Sequence, residues 1–187
     1  MPVCLFMRLK SAAIALVAVL ATTVAAEPRL APDWTLRTAE GEPVTLSAVA
    51  VDRPVVLLFW ATWCPYCKAL MPHLQSIGLE YGDRIEILAI HFRDDKGDPV
   101  GFVGDAGYDF TLLTDGNDVA ELNGVWGTPG VLIVDTDRVI RFDLYAVPKP
   151  EFPAGGEGLS HSSKAGYRAP FWAAEIRKSL DTVLNGR

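Results

Sequence analysis

The chain has 187 residues, half of them apolar and 21% charged, which favours one globular domain over a disordered or fibrous chain. A net charge of −6 and a pI near 5.0 argue against a nucleic-acid or anionic-membrane binder, because such proteins carry a basic stripe. No apolar run reaches the roughly 20 residues of a comfortable membrane span.

Residues 1–26 read as a signal peptide. Arg8 and Lys10 form a short basic region, residues 11–26 are apolar or small, and Val24-Ala25-Ala26 precedes Glu27-Pro28 as a signal-peptidase site would. The expectation is cleavage after Ala26, with an uncleaved membrane anchor as the alternative. The remaining domain, 27–187, is then exported and more acidic still. Cys4 precedes the apolar stretch and leaves with it, so two cysteines remain, Cys64 and Cys67.

In chain order, residues 34–37 and 44–46 alternate apolar and polar around Ala39-Glu40-Gly41-Glu42 and predict a β-hairpin. Residues 55–60 form a continuous apolar run after Pro54, as in a strand buried on both faces. From Pro65 to about Tyr81, Leu70, Leu74, Ile77 and Tyr81 recur at helical spacing. Residues 85–90 predict a second buried strand with His91 at its C-terminal edge. Residues 94–98 read as a loop, 100–105 as a short helix, 110–113 as a brief strand and 118–122 as a helical turn or two. Residues 131–134 and 139–142 flank Asp135-Thr136-Asp137-Arg138 as an antiparallel hairpin. Eleven of the residues between Ala146 and Pro170 are Pro, Gly or Ser, which predicts a long loop, functional or mobile. Trp172, Ile176, Leu180, Val183 and Leu184 then mark a terminal helix over 171–185. This order implies an α/β domain, a mixed sheet covered by helices on both sides.

The C-x-x-C spacing of Cys64 and Cys67 points to chemistry, because a disulfide across two intervening residues constrains the unfolded chain very little. Cys64 stands where a buried strand ends and a helix begins, and unpaired N–H groups there favour a thiolate. Its pKa should fall from about 8.5 to near 7 or below. Cys67 lies one turn further on, on the same face and less exposed, where it can attack a mixed disulfide at Cys64. A zinc site would need four ligands, and no second C-x-x-C or paired histidines accompany the motif.

The segment Phe59-Trp60-Ala61-Thr62-Trp63-Cys64-Pro65-Tyr66-Cys67-Lys68 resembles the active-site segment of the thioredoxin superfamily. Residues 31–36 and 41–46 resemble the N-terminal hairpin of its exported TlpA/ResA-like branch. Pro72 matches the proline that kinks the active-site helix of that superfamily, and Gly127-Thr128-Pro129 falls where it carries a cis-proline. The resemblance covers about residues 30–143 and implies a thioredoxin fold. It implies a periplasmic thiol-disulfide oxidoreductase with Cys64 as nucleophile and Cys67 as resolving thiol. Trp63, Pro65, Tyr66, Thr128 and Pro129 would contact the partner, Thr128 offering its backbone to an extended peptide. The implied partners are protein thiols and disulfides of exported proteins, with a membrane thiol reductase or oxidase as redox partner. No cofactor, metal or nucleic acid is expected, and the chain is expected to be a monomer.

Two departures bear on electron flow. Leu58 and Leu70 stand where thioredoxins carry a buried Asp and where many family reductants carry a Glu, so a strongly reducing role is weakened. The Pro-Tyr dipeptide resembles glutaredoxins, whose potentials lie above that of thioredoxin. His91 offers a substitute base, although a surface histidine is the simpler reading; His73 reads as solvated, and His161 falls in the long loop. Trp60 and Trp172 read as core, while Trp126 fits either packing or the rim. The peroxiredoxin pattern fails, because Ala61 and Leu57 stand where it needs Thr or Ser and Pro. The rival reading is a copper(I)-delivery protein using both thiolates, with His91 as a further ligand.

Overall fold

A computed structural model of the chain describes residues 1, 28–152 and 156–186. The expected signal peptide, its cleavage site and Cys4 lie outside the described residues.

Strand β3 (Val55–Trp60) explains the architecture, since all six of its side chains are fully buried. Side chains alternate across a strand. Val56, Leu58 and Trp60 therefore join one core with α2 (Pro65–Tyr81) and the C-terminal α5 (His161–Asn185). Val55, Leu57 and Phe59 join the opposite core with α1 (Leu46–Ala50) and α4 (Asn117–Leu122). The sheet has the order β5-β4-β3-β6-β7. Strand β3 runs parallel to β4 (Glu86–His91), which runs parallel to β5 (Thr111–Leu113). It runs antiparallel to β6 (Gly130–Val134), which pairs with β7 (Ile140–Asp143). A separate hairpin of β1 (Thr35–Arg37) and β2 (Pro43–Thr45) precedes α1, and α3 (Pro99–Ala106) links β4 to β5. This is the thioredoxin-like arrangement, with a small N-terminal antiparallel sheet added.

Two elements differ from the sequence-based expectation. Helix α1, five residues long, lies directly after the hairpin, where too few residues exist to show a helical period. The larger correction is α5, which begins at His161 instead of 171, so the expected loop over 146–170 is ten residues shorter. Ser160 caps it, its hydroxyl accepting from Ser163 N–H at 3.1 Å. Ala165, Ala169, Trp172, Ile176 and Leu180 form one buried stripe, while Pro170 and Gly166 lie on the exposed side. Packing against α2 holds this helix despite its composition. Tyr81 donates to Asp181 at 2.8 Å and Arg177 pairs with Glu80 at 2.7 Å across the two helices.

Candidate active site

Helix α2 begins at the edge where β3 ends. Pro65 occupies its first turn, where a missing N–H costs nothing. Cys64 is the N-cap residue, and its sulfur accepts the Cys67 N–H at 3.1 Å. That hydrogen bond satisfies a donor the helix leaves open and favours the anionic form of the acceptor. The Cys67 thiol, the Thr128 side chain and the N–H groups of Cys67 and Tyr66 all bond this sulfur, and together they outweigh its burial. The Cys64 pKa accordingly falls to about 6. Cys67 goes the other way: burial, its bond to the Cys64 sulfur and the neighbouring charge push its thiol far up. Both cysteines are free thiols and nearly inaccessible, at 1% and 0% exposure. The expected difference in surface exposure is therefore slight; hydrogen bonds lower the Cys64 pKa, and burial foremost raises that of Cys67.

One flank of the Cys64 loop is polar. Asp94, three residues beyond β4, accepts from Thr62 N–H at 2.7 Å and from the Thr62 hydroxyl at 2.5 Å. Its same oxygen lies 3.1 Å from His91 Nε2. Burial pushes the Asp94 carboxyl up, but these hydrogen bonds overcome it and hold the pKa below its ordinary value. A Cβ on Gly97 would stand 2.3 Å from the Asp94 oxygen, so only glycine fits beside this junction. Trp63 Nε1 donates to Arg93 O at 3.1 Å, tying the next residue to the same loop. His91 is thus no surface histidine: it is 8% exposed, packs on the Trp60 ring and turns its Nε2 to Asp94. Its Nε2 is thereby committed to Asp94. Among the described residues no group of three or more His, Cys, Asp or Glu is placed to hold a metal.

The opposite flank is aromatic. Tyr66 packs against Trp172 at 6.0 Å between ring centroids and against His161 at 6.2 Å. The Arg168 guanidinium lies over the same ring at 5.6 Å. His161 thus begins α5 beside the motif instead of lying in a loop. Tyr145 donates to Gly127 O at 2.5 Å and accepts Gly127 N–H at 3.0 Å, bracing the segment that precedes Thr128. The Thr128–Pro129 peptide is cis, and Pro129 is buried.

Of the residues singled out from the sequence, Cys64, Cys67, Pro65, Tyr66 and Thr128 meet around one sulfur, with Pro129 beside Thr128. Trp63 stands exposed at 59% on the polar flank. Trp126, 70% exposed and stacked on Tyr145 at 4.6 Å, belongs to the rim, while Trp60 and Trp172 are core. Leu58 and Leu70 are fully buried, so no carboxylate replaces them there. Sequence reasoning missed Thr62, Asp94, Tyr145 and Arg168. A residue such as Asp94, polar and just past a buried strand's C-terminal edge, is a signal that was available; Tyr145 and Arg168 carried none.

Comparison with known proteins fits this geometry. The AhpC/TSA family model matches residues 29–143. The thioredoxin-like protein YneN of Bacillus subtilis (strain 168) is 31% identical over 118 residues, 62% of this chain and 69% of that protein. The thiol:disulfide interchange protein DsbE of Escherichia coli (strain K12) is 30% identical over 92 residues, 48% of each chain, so the alignment spans about half of that relative. A crystal structure of a hypothetical protein from Sinorhizobium meliloti 1021 superposes with a TM-score of 0.66 at 22% identity, covering 86% of this chain and 85% of the other, a likeness of fold. With the family model spanning more than half of its length, the chain belongs to the AhpC/TSA family of thioredoxin-like proteins.

Proposed function

We propose that the chain is an exported thiol-disulfide oxidoreductase working in the periplasm. The observation that carries this reading is the setting of two sulfurs three residues apart, one capping α2 and accepting the Cys67 N–H, the other fully buried, which favours a thiolate at Cys64 and a thiol at Cys67. The Cys64 thiolate attacks a partner disulfide; that S–S bond breaks, a mixed disulfide forms, and one partner thiolate leaves. Loss of the negative charge on the Cys64 sulfur removes one cause of the raised Cys67 pKa, and Cys67 gives its proton to the departing partner thiolate. The Cys67 thiolate then attacks Cys64, closing the Cys64–Cys67 disulfide and releasing the partner reduced by two electrons. The reverse sequence oxidises a dithiol. Trp63, Tyr66, Thr128 and Pro129 dock the partner segment. Export is supported by the basic and apolar pattern of residues 1–26.

Reduction of insulin disulfides, measured with and without added copper, tests this function. Wild-type turnover, with Cys67→Ser accumulating a mixed disulfide at Cys64, is expected. A protein that binds copper through both cysteines and traps no partner would contradict it.

A further inference from the structure

The family match ends at Asp143, and the residues beyond it enclose one side of the site. They complete a groove of about 260 Å³ whose lining includes Thr128 and Pro129. Aromatic walls come from Tyr66, Trp126, Tyr145 and Trp172, and two cations line it, Lys149 and Arg168. Among the described residues no carboxylate lines the groove, in a chain with 23 acidic residues against 17 basic ones.

The cations are not committed elsewhere. Among the described residues no carboxylate pairs with Lys149 or Arg168. The Arg168 guanidinium instead lies against two rings, 5.6 Å from the Tyr66 centroid and 4.9 Å from that of Phe152. Its Nε is buried without a hydrogen-bond partner, which costs free energy unless something supplies an acceptor. A planar guanidinium suits a carboxylate, which it can engage with two parallel bonds. Apolar walls lower the local dielectric and strengthen that attraction.

We propose that this groove selects partner segments carrying a carboxylate within a few residues of the reacting cysteine. The proposal rests on the oxidoreductase reading above and names the substrate class for that same site. An extended segment advances about 3.3 Å per residue. A partner cysteine at Cys64 therefore sets its neighbours along Thr128, with the next side chains reaching Lys149 and Arg168. The acidic surface elsewhere repels such a segment, so the cationic groove also fixes where it lands.

Three peptides test this, identical except for Glu, Gln or Lys placed two residues from a cysteine joined by a disulfide to a chromogenic aryl thiol. Release of the aryl thiolate reports the step in which Cys64 bonds the peptide sulfur, and each rate is normalised to that with dithiothreitol, which has no charge preference. The expected result at low ionic strength is a Glu-to-Lys rate ratio of about tenfold, the Gln peptide lying between. That ratio contracts at high salt. Lys149→Glu, on an exposed loop position, lowers the ratio or inverts it, and Arg168→Gln lowers it by removing the charge while keeping a polar side chain. A ratio near one in wild type overturns the selectivity alone. Equal peptide rates with faster reduction of glutathione disulfide overturn it in favour of a small acidic disulfide. No rate above the dithiothreitol background for any peptide overturns the oxidoreductase reading and the proposal together.

Discussion

The two flanks of the Cys64 loop are built from opposite materials. The flank from β4 to α3 is a polar junction, in which a single Asp94 oxygen gathers Thr62 and His91. The flank from Tyr145 to Trp172 is aromatic and cationic, with Trp172 tilted against Tyr66 and Tyr145 stacked on Trp126. The first lies within the family match and the second beyond it. The difference pairs a hydrogen-bonded anchor beside the reactive sulfur with an aromatic, cationic wall, to which the proposal above assigns the choice of partner.

The largest effect belongs to the residue between the flanks. Cys64→Ser keeps an N-cap side chain, so α2 should stay intact and the melting temperature should barely change, while disulfide exchange drops to the uncatalysed rate. Insulin reduction and thermal melting, measured together, check both halves. Asp94→Ala should come next, because it strips a buried acceptor from Thr62 and His91 at once. We expect a loss of about 3 kcal/mol in denaturant unfolding and slower exchange as the Cys64 loop loosens. The same carboxylate gives a pH signature. Its folded pKa is depressed, so its contribution is complete above the ordinary carboxylate value of about 4 and is lost as pH falls below it. Unfolding curves at falling pH should converge for wild type and Asp94→Ala.

On the other flank, Tyr145→Phe removes the hydroxyl that serves both Gly127 groups. A cost of about 1–2 kcal/mol is expected, with a higher KM for protein disulfides and no change in the Cys64 titration. A shifted titration would show that the aromatic flank also sets the thiolate. Of similar size is the expected displacement in potential. With Leu58 and Leu70 fully buried and no carboxylate in their places, and with Cys64 stabilised as a thiolate, the reduced form gains. A glutathione equilibrium should place the couple at roughly −200 to −230 mV, above thioredoxin at about −270 mV.

The contrast between flanks is also a contrast in legibility. Strand β3 announced itself because burial on both faces leaves no polar position in the run from Val55 to Trp60. The cysteine pair announced itself because two thiols at that spacing have little structural use. Helix α5 hid its first ten residues because Pro170, Gly166, Ser162 and Ser163 suppress the local signal, and only packing on α2 reveals the stripe of Ala165 and Ala169. His91 looked like a strand-end surface residue because its partner, Asp94, acquires meaning only when the chain turns back over Thr62. Arg168 was similarly silent, since a cation over Tyr66 depends on a helix that composition concealed.

The central claim is that hydrogen bonds hold Cys64 as a thiolate while burial, above all, keeps Cys67 protonated. Brief alkylation of the reduced protein across a pH series, read by mass spectrometry at each cysteine, tests it directly. The account predicts labelling of Cys64 with a midpoint at about pH 6 while Cys67 stays unmodified at neutral pH. Predominant labelling of Cys67, or a Cys64 midpoint at the ordinary thiol value of about 8.5, would contradict it.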